Sequence, residues 1–123
     1  MQPLHSFSIK ARIKSFSYAF QGLKTFFNTQ HNAWIHLLAT VCVIGFGILV
    51  NLSLNEWCWI VFSIGLVFIT EMLNTAVEFL TDLVSPEYHP LAKKTKDVAA
   101  GAVLFSALVA VVIGLLIFTN KVI

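Results

Sequence analysis

The segment from Val98 to Phe118 reads VAAGAVLFSALVAVVIGLLIF and contains no charged residue. About 20 apolar residues suffice for an α-helix to cross the hydrocarbon core of a bilayer, so this segment predicts a transmembrane helix. A second uncharged segment, from about Trp34 to Leu52, predicts another. A third begins near Trp57, is apolar through Thr70 and continues to Val84 without proline or glycine in its polar second half. It can span the bilayer only if its polar side chains are kept away from lipid.

The composition of the whole chain also indicates a membrane protein. Hydrophobic residues make up 58% and charged residues 11%, against roughly 45–50% and about 25% in soluble domains. A soluble domain of 123 residues would need more polar surface, and so apolar a chain does not stay disordered. The net charge of +2 is too small to indicate a nucleic-acid partner.

The N-terminal part, residues 5–28, has the pattern of an amphipathic helix. Its apolar residues recur at intervals of three and four and form one stripe: Ile9, Ile13, Phe16, Phe20, Leu23 and Phe27. Basic residues flank the stripe, which is typical of a helix that lies on an anionic membrane surface. The alternative is a soluble helix that packs on a partner protein.

The basic residues also predict an orientation. The predicted spans are numbered here in chain order: first 34–52, second 57–84 and third 98–118. Seven of the eight Lys and Arg residues lie either before the first span or between the second and third. Because cytoplasmic loops carry the excess of positive charge, the N-terminus is expected in the cytoplasm and the C-terminus outside.

The polar half of the second span reads Glu71-Met-Leu-Asn-Thr-Ala-Val-Glu-Phe-Leu-Thr-Asp82. At about 100° per residue, Glu71, Glu78 and Asp82 share one face of the helix with Asn74 and Thr75. Carboxylates inside a membrane are costly and normally face a bundle interior, a cavity or a cation. Such a face suits a divalent metal with oxygen ligands or a carboxylate that accepts a proton. Structural hydrogen bonding between helices is the simpler alternative.

The second loop adds further polar groups on the same side of the membrane. Pro86 and Pro90 predict a fixed turn, and Lys96-Asp97 precedes the third span. Phosphoryl transfer requires at least a cationic group that binds phosphate oxygens and carboxylates that bind a metal ion, and both are expected here. The glycines do not form the Gly-x-x-x-x-Gly-Lys pattern, so a nucleotide site of the P-loop type is excluded.

Three blocks together resemble the prokaryotic diacylglycerol kinase and undecaprenol kinase family: Glu71-Met-Leu-Asn-Thr-Ala-Val-Glu78, Ser85-Pro-Glu-Tyr-His89 and Lys96-Asp97. The resemblance covers nearly the whole chain. It implies a homotrimer in the bacterial inner membrane that phosphorylates a lipid hydroxyl with MgATP. Each subunit is expected to be one domain, residues 1–123, with an amphipathic surface helix (5–28) and three transmembrane helices (34–52, 57–84 and 98–118) in an all-α bundle.

The resemblance also implies roles for single residues. Glu71 matches the general base toward the lipid hydroxyl, Asn74 a residue that organises the site, and Lys96 the lysine that contacts the transferred phosphate. Glu78 matches a Mg²⁺ ligand, and Gln30 stands where the family usually has a metal-binding Glu. The remaining matches lie around the nucleotide: Lys14, Tyr18, Asp82, Glu87, His89, Lys96 and Asp97.

The leading interpretation is therefore a lipid kinase, with diacylglycerol favoured as substrate because it names the broader family and undecaprenol as the alternative. A small cation or proton transporter that uses Glu71 and Glu78 is the alternative of another class. Against it, residues 57–70 carry no charge, so the acidic face stops halfway. A structural membrane adaptor would leave the intramembrane acids unexplained.

Overall fold

The computed structural model describes residues 7–123, which form four α-helices and no strand. The helices are α1 (Ile9–Thr29), α2 (His31–Leu49), α3 (Leu54–Val84) and α4 (Pro90–Val122). The last three are long and apolar enough to cross a membrane. The predicted all-α fold with one amphipathic helix and three transmembrane helices is thus confirmed, and the predicted helix start at residue 5 lies outside the described residues.

The junction between α1 and α2 is a single non-helical residue, Gln30. The indole nitrogen of Trp34 donates a hydrogen bond to the main-chain oxygen of Phe27 at 2.8 Å, which satisfies a carbonyl at the end of α1. Phe27 also packs edge to face against Trp34. The predicted gap between residues 28 and 34 therefore shrinks to one residue. The apolar stripe of α1 remains exposed from Ile9 to Leu23, available to a membrane surface.

A tight hairpin joins α2 to α3. Asn51 adopts φ 55°, a left-handed conformation that asparagine tolerates better than most residues. A Cβ on Gly47 would lie 2.8 Å from the Trp57 ring and 2.9 Å from Leu52, so only glycine permits this close approach. Ser53 and Glu56 then form a capping box that starts α3.

α3 and α4 form the packed pair of the fold. α3 has 31 residues and is therefore about 46 Å long, more than the ~30 Å hydrocarbon core. The hydroxyls of Thr70 and Ser106 form a hydrogen bond of 2.7 Å between the two helices. Near their far ends, Lys121 forms an ion pair with Glu56 at 2.9 Å.

The start of α4 differs from the sequence prediction. Pro90, expected in a loop, is the first residue of the helix, where its missing N–H costs nothing. The Nδ1 atom of His89 accepts a hydrogen bond from the Leu91 amide and caps this end. Lys96 and Asp97 therefore lie on a rigid helix and not in a loop.

Candidate active site

The acidic face of α3 changes from buried to exposed toward the turn between α3 and α4. Glu71 is 5% exposed, Glu78 is half-buried and Asp82 is exposed. By helical rise, Glu71 lies about 26 Å from the first residue of α3 and Asp82 about 42 Å, which spreads them across one edge of the hydrocarbon core. The acidic face therefore extends from a buried end at Glu71 to an exposed end at Asp82.

Glu71 is enclosed within a single chain. Its Oε1 atom lies 2.8 Å from Nε2 of His36 on α2, and Phe68 packs edge to face on the imidazole. One chain therefore buries the Glu71 carboxylate without a neighbouring subunit. His36 was not among the predicted site residues, although it is the one titratable group in the apolar segment 34–52 other than Cys42.

Asn74 and Glu78 form a second group one turn further along α3. The Asn74 amide nitrogen donates to Oε1 of Glu78 at 3.1 Å. This arrangement leaves the Asn74 carbonyl oxygen buried without a donor. A buried acceptor without a partner is costly, and an amide carbonyl beside a carboxylate offers two oxygen ligands of the kind Mg²⁺ prefers.

The cationic group of the site lies on the first turns of α4. Lys96 donates to the Asp82 carboxylate at 2.6 Å, and Lys93 pairs with Asp97 at 2.7 Å. The hydrogen bond that Lys96 donates to the Asp82 carboxylate raises the pKa of Lys96, which precedes the apolar part of α4 that begins at Val98. Lys96 therefore stays cationic in the neutral range.

The two ion pairs, Lys96 with Asp82 and Lys93 with Asp97, border a polar pocket of about 400 Å³ at the turn between α3 and α4. The pocket brings together five of the seven residues predicted around the nucleotide, and Lys93 also lines it. The five are Asp82, Glu87, His89, Lys96 and Asp97.

Three predicted site residues do not join this group within one chain. Lys14 and Tyr18 are exposed on α1 and form no hydrogen bond with α3 or α4 in the described part of the chain. The side chain of Gln30 bonds to Thr29 at 3.4 Å. Among residues 7–123, no three His, Cys, Asp or Glu side chains gather as a metal-binding cluster.

An apolar groove of about 550 Å³ separates α2 from α4. It begins at His36, beside Glu71, and ends where the rings of Phe46 and Phe118 lie 5.0 Å apart. Several of the residues that line the groove are small and so leave it wide: Ala39, Ser63, Ala107, Ala110 and Gly114. The groove thus connects the buried carboxylate with the apolar half of the bundle.

Comparison with known proteins identifies the family of this chain. Residues 17–118 match the family model for prokaryotic diacylglycerol kinase. The chain is 43% identical to the undecaprenol kinase of Bacillus subtilis over 95% of both chains. It is 45% identical to a diacylglycerol kinase of Synechocystis, over 81% of this chain and 58% of that protein. It is 33% identical to the diacylglycerol kinase of Escherichia coli, over 81% of this chain and 82% of the other. The chain therefore belongs to the prokaryotic diacylglycerol kinase family, and it is an integral membrane lipid kinase.

Proposed function

We propose that the protein transfers the γ-phosphate of ATP to the hydroxyl of undecaprenol, with diacylglycerol as the second candidate acceptor. Undecaprenol is placed before diacylglycerol because of the share of each chain that the alignment with a relative covers. The undecaprenol kinase relative matches over 95% of both chains, whereas the two diacylglycerol kinases compared above match over 81% of this one. Diacylglycerol, favoured from the sequence alone, stays a candidate because the family model and several relatives carry its name.

One observation supports this proposal most directly. Glu71 lies in the buried part of the α3–α4 pair, and Lys96 lies near its exposed end. Glu71 is the buried end of the acidic face and contacts His36, which lines one end of the apolar groove. Lys96 is at the exposed end. A lipid hydroxyl approaches from the bilayer and ATP from water, so such a site suits a reaction between the two.

Glu71 is the general base in this proposal. Its carboxylate accepts the proton of the lipid hydroxyl while the oxygen attacks the γ-phosphorus of ATP and ADP leaves. Burial supports this role because it keeps water from competing with the lipid as the acceptor of the phosphoryl group. The groove beside Glu71 has a volume within the ~300–1,000 Å³ of ligand pockets and suits one segment of an apolar tail.

Lys96 neutralises the transferred phosphate. Its ion pair with Asp82 is exposed, and exposed pairs contribute only ~0–1 kcal/mol. The ammonium can therefore exchange Asp82 for a phosphate oxygen at little cost. The neighbouring pocket, with Glu87 and His89, then accommodates the rest of the nucleotide.

The oxygen atoms beside Glu78 suit a magnesium ion. The Glu78 carboxylate and the unpartnered Asn74 carbonyl would hold it, and Gln30 would add a neutral carbonyl ligand. When bound, Mg²⁺ offsets the negative charge of the ATP phosphates.

The assembly proposed here is a homotrimer in the bacterial inner membrane, with the N-terminus cytoplasmic and the C-terminus outside. The number three follows the family resemblance. Its support in this chain is that Lys14 and Tyr18, expected near the nucleotide, stay exposed and apart from the polar pocket. Sites completed by a neighbouring subunit would unite them. The orientation follows from the positive charges on the side of the polar pocket.

The test uses purified protein in lipid vesicles that contain either undecaprenol or diacylglycerol, with MgATP. We expect kcat/KM to be at least about tenfold higher for undecaprenol, a difference of ~1.4 kcal/mol in transition-state stabilisation. The reverse ratio would assign diacylglycerol, and phosphorylation of neither lipid would refute both acceptors. Vesicles without either alcohol serve as the control.

A further inference from the structure

His36 touches the proposed base but has no part in the reaction described above. We infer that His36 is a positioning residue for Glu71: its Nε2–H holds one carboxylate oxygen, so that the other faces the lipid hydroxyl. This inference rests on the proposed role of Glu71 as the general base. It adds a residue of α2 to a site otherwise built from α3 and α4.

The contact has the geometry of a strong hydrogen bond. Nε2 of His36 and Oε1 of Glu71 are 2.8 Å apart, and the side chains are 26% and 6% exposed. An ionised carboxylate only accepts hydrogen bonds, so the contact requires a hydrogen on Nε2 of His36. In the described chain it is the one side-chain hydrogen bond to the Glu71 carboxylate.

The neighbouring side chains restrict the imidazole ring and offer Glu71 no competing charged partner. Phe68 packs against the imidazole edge to face, which restricts rotation of the ring. The groove that opens beside the pair is lined by no other basic or acidic side chain. Glu78, the next acid on the helix, is about 10 Å away by rise and is engaged with Asn74.

A fixed carboxylate matters because proton abstraction depends on orientation. In the proposed step the lipid O–H bond breaks, an O–P bond forms, ADP leaves and the proton moves to the Glu71 oxygen that His36 does not hold. His36 keeps its own proton throughout. A misplacement of about 1 Å in an active site can lower a rate by ~10²-fold.

The same bond also links α2 to α3, so the experiment must separate positioning from stability. His36→Leu removes the donor, and His36→Gln replaces it with an amide N–H of similar reach. Each is made in the wild-type chain and in a Glu71→Gln chain. His31→Leu, an exposed position on the same helix, is the matched control, and thermal unfolding is followed for every variant.

For His36→Leu we expect kcat to fall roughly 10- to 100-fold, with little change in KM for MgATP or lipid. His36→Gln should recover most of this loss, and His31→Leu should match the wild type. In the Glu71→Gln chain, His36→Leu should cause no further loss, because residues that act as a unit are not additive.

The inference is overturned if His36→Leu leaves kcat unchanged, or if it costs the same factor in both chains. If His36→Leu does not fold, His36→Asn, polar but too short to reach Glu71, takes its place in the same comparison. A Glu71→Gln chain with full turnover would instead refute the proposed base. A slow Glu71→Gln chain with an unaffected His36→Leu would refute only the role of His36.

Discussion

Separate roles for Glu71 and Glu78 predict different defects when each is replaced by glutamine. The two carboxylates lie on one face of α3, about 10 Å apart by helical rise, too far for both to contact one proton. Glu71 is enclosed beside His36, and Glu78 is engaged with Asn74. Glutamine keeps an oxygen that accepts the hydrogen bond from His36 or Asn74, so both variants should preserve the packing of the bundle.

Glu71→Gln removes the base and should lower turnover roughly 10²–10⁴-fold, with MgATP binding unchanged. Glu78→Gln removes a charged group from the magnesium site. A lost contact with a charged group costs about 1.5–3 kcal/mol, so MgATP should bind about 10- to 150-fold more weakly, and turnover should also fall.

The assay measures lipid phosphorylation and, separately, nucleotide affinity by calorimetry at fixed Mg²⁺. Glu56→Gln is the matched control because Glu56 lies at the opposite end of α3, paired with Lys121. It should leave both quantities unchanged. Equal losses of nucleotide affinity in the Glu71 and Glu78 variants, or full turnover by Glu71→Gln, would refute the division of roles.

Three further predictions address other parts of the molecule. Gln30→Glu adds a charge and should lower the Mg²⁺ concentration for half-maximal activity; an unchanged concentration would place residue 30 away from the metal. Mass measurement in detergent should show a trimer, and a stable, active monomer would contradict shared sites. Gly47→Ala forces a Cβ to within 2.9 Å of Trp57 and Leu52 and should lower the unfolding midpoint, as overpacking costs ~1–3 kcal/mol; an unchanged midpoint would show that the hairpin adapts freely.

Much of the fold was predictable because the bilayer restricts the choices. Uncharged segments of sufficient length predict helices, and the acidic face of α3 follows from its periodicity. Helix ends were less predictable. Pro90 is equally compatible with a turn and with the first position of a helix. The indole of Trp34, which caps α1, gives no sequence signal because its partner is a main-chain oxygen.

The candidate site was predictable where its residues share one element. Glu71, Asn74, Glu78 and Asp82 lie on one helix, so helical geometry alone places them on one face. His36 was missed because its partner comes from another helix. A signal did exist: in an antiparallel hairpin, His36 and Glu71 lie roughly 24 Å and 28 Å from Leu52 by helical rise, so they are nearly level. Family membership of the chain also favours the kinase over the transporter interpretation.

The central claim is transfer of phosphate from ATP to a lipid alcohol, and labelled ATP tests it most directly. Purified protein in undecaprenol vesicles with Mg²⁺ and ATP labelled at the γ-phosphate should yield labelled lipid and unlabelled ADP in equal amounts. The Glu71→Gln protein should yield roughly 10²–10⁴-fold less labelled lipid in the same time. Release of the label as free phosphate, or the absence of labelled product with undecaprenol and with diacylglycerol, would contradict the account.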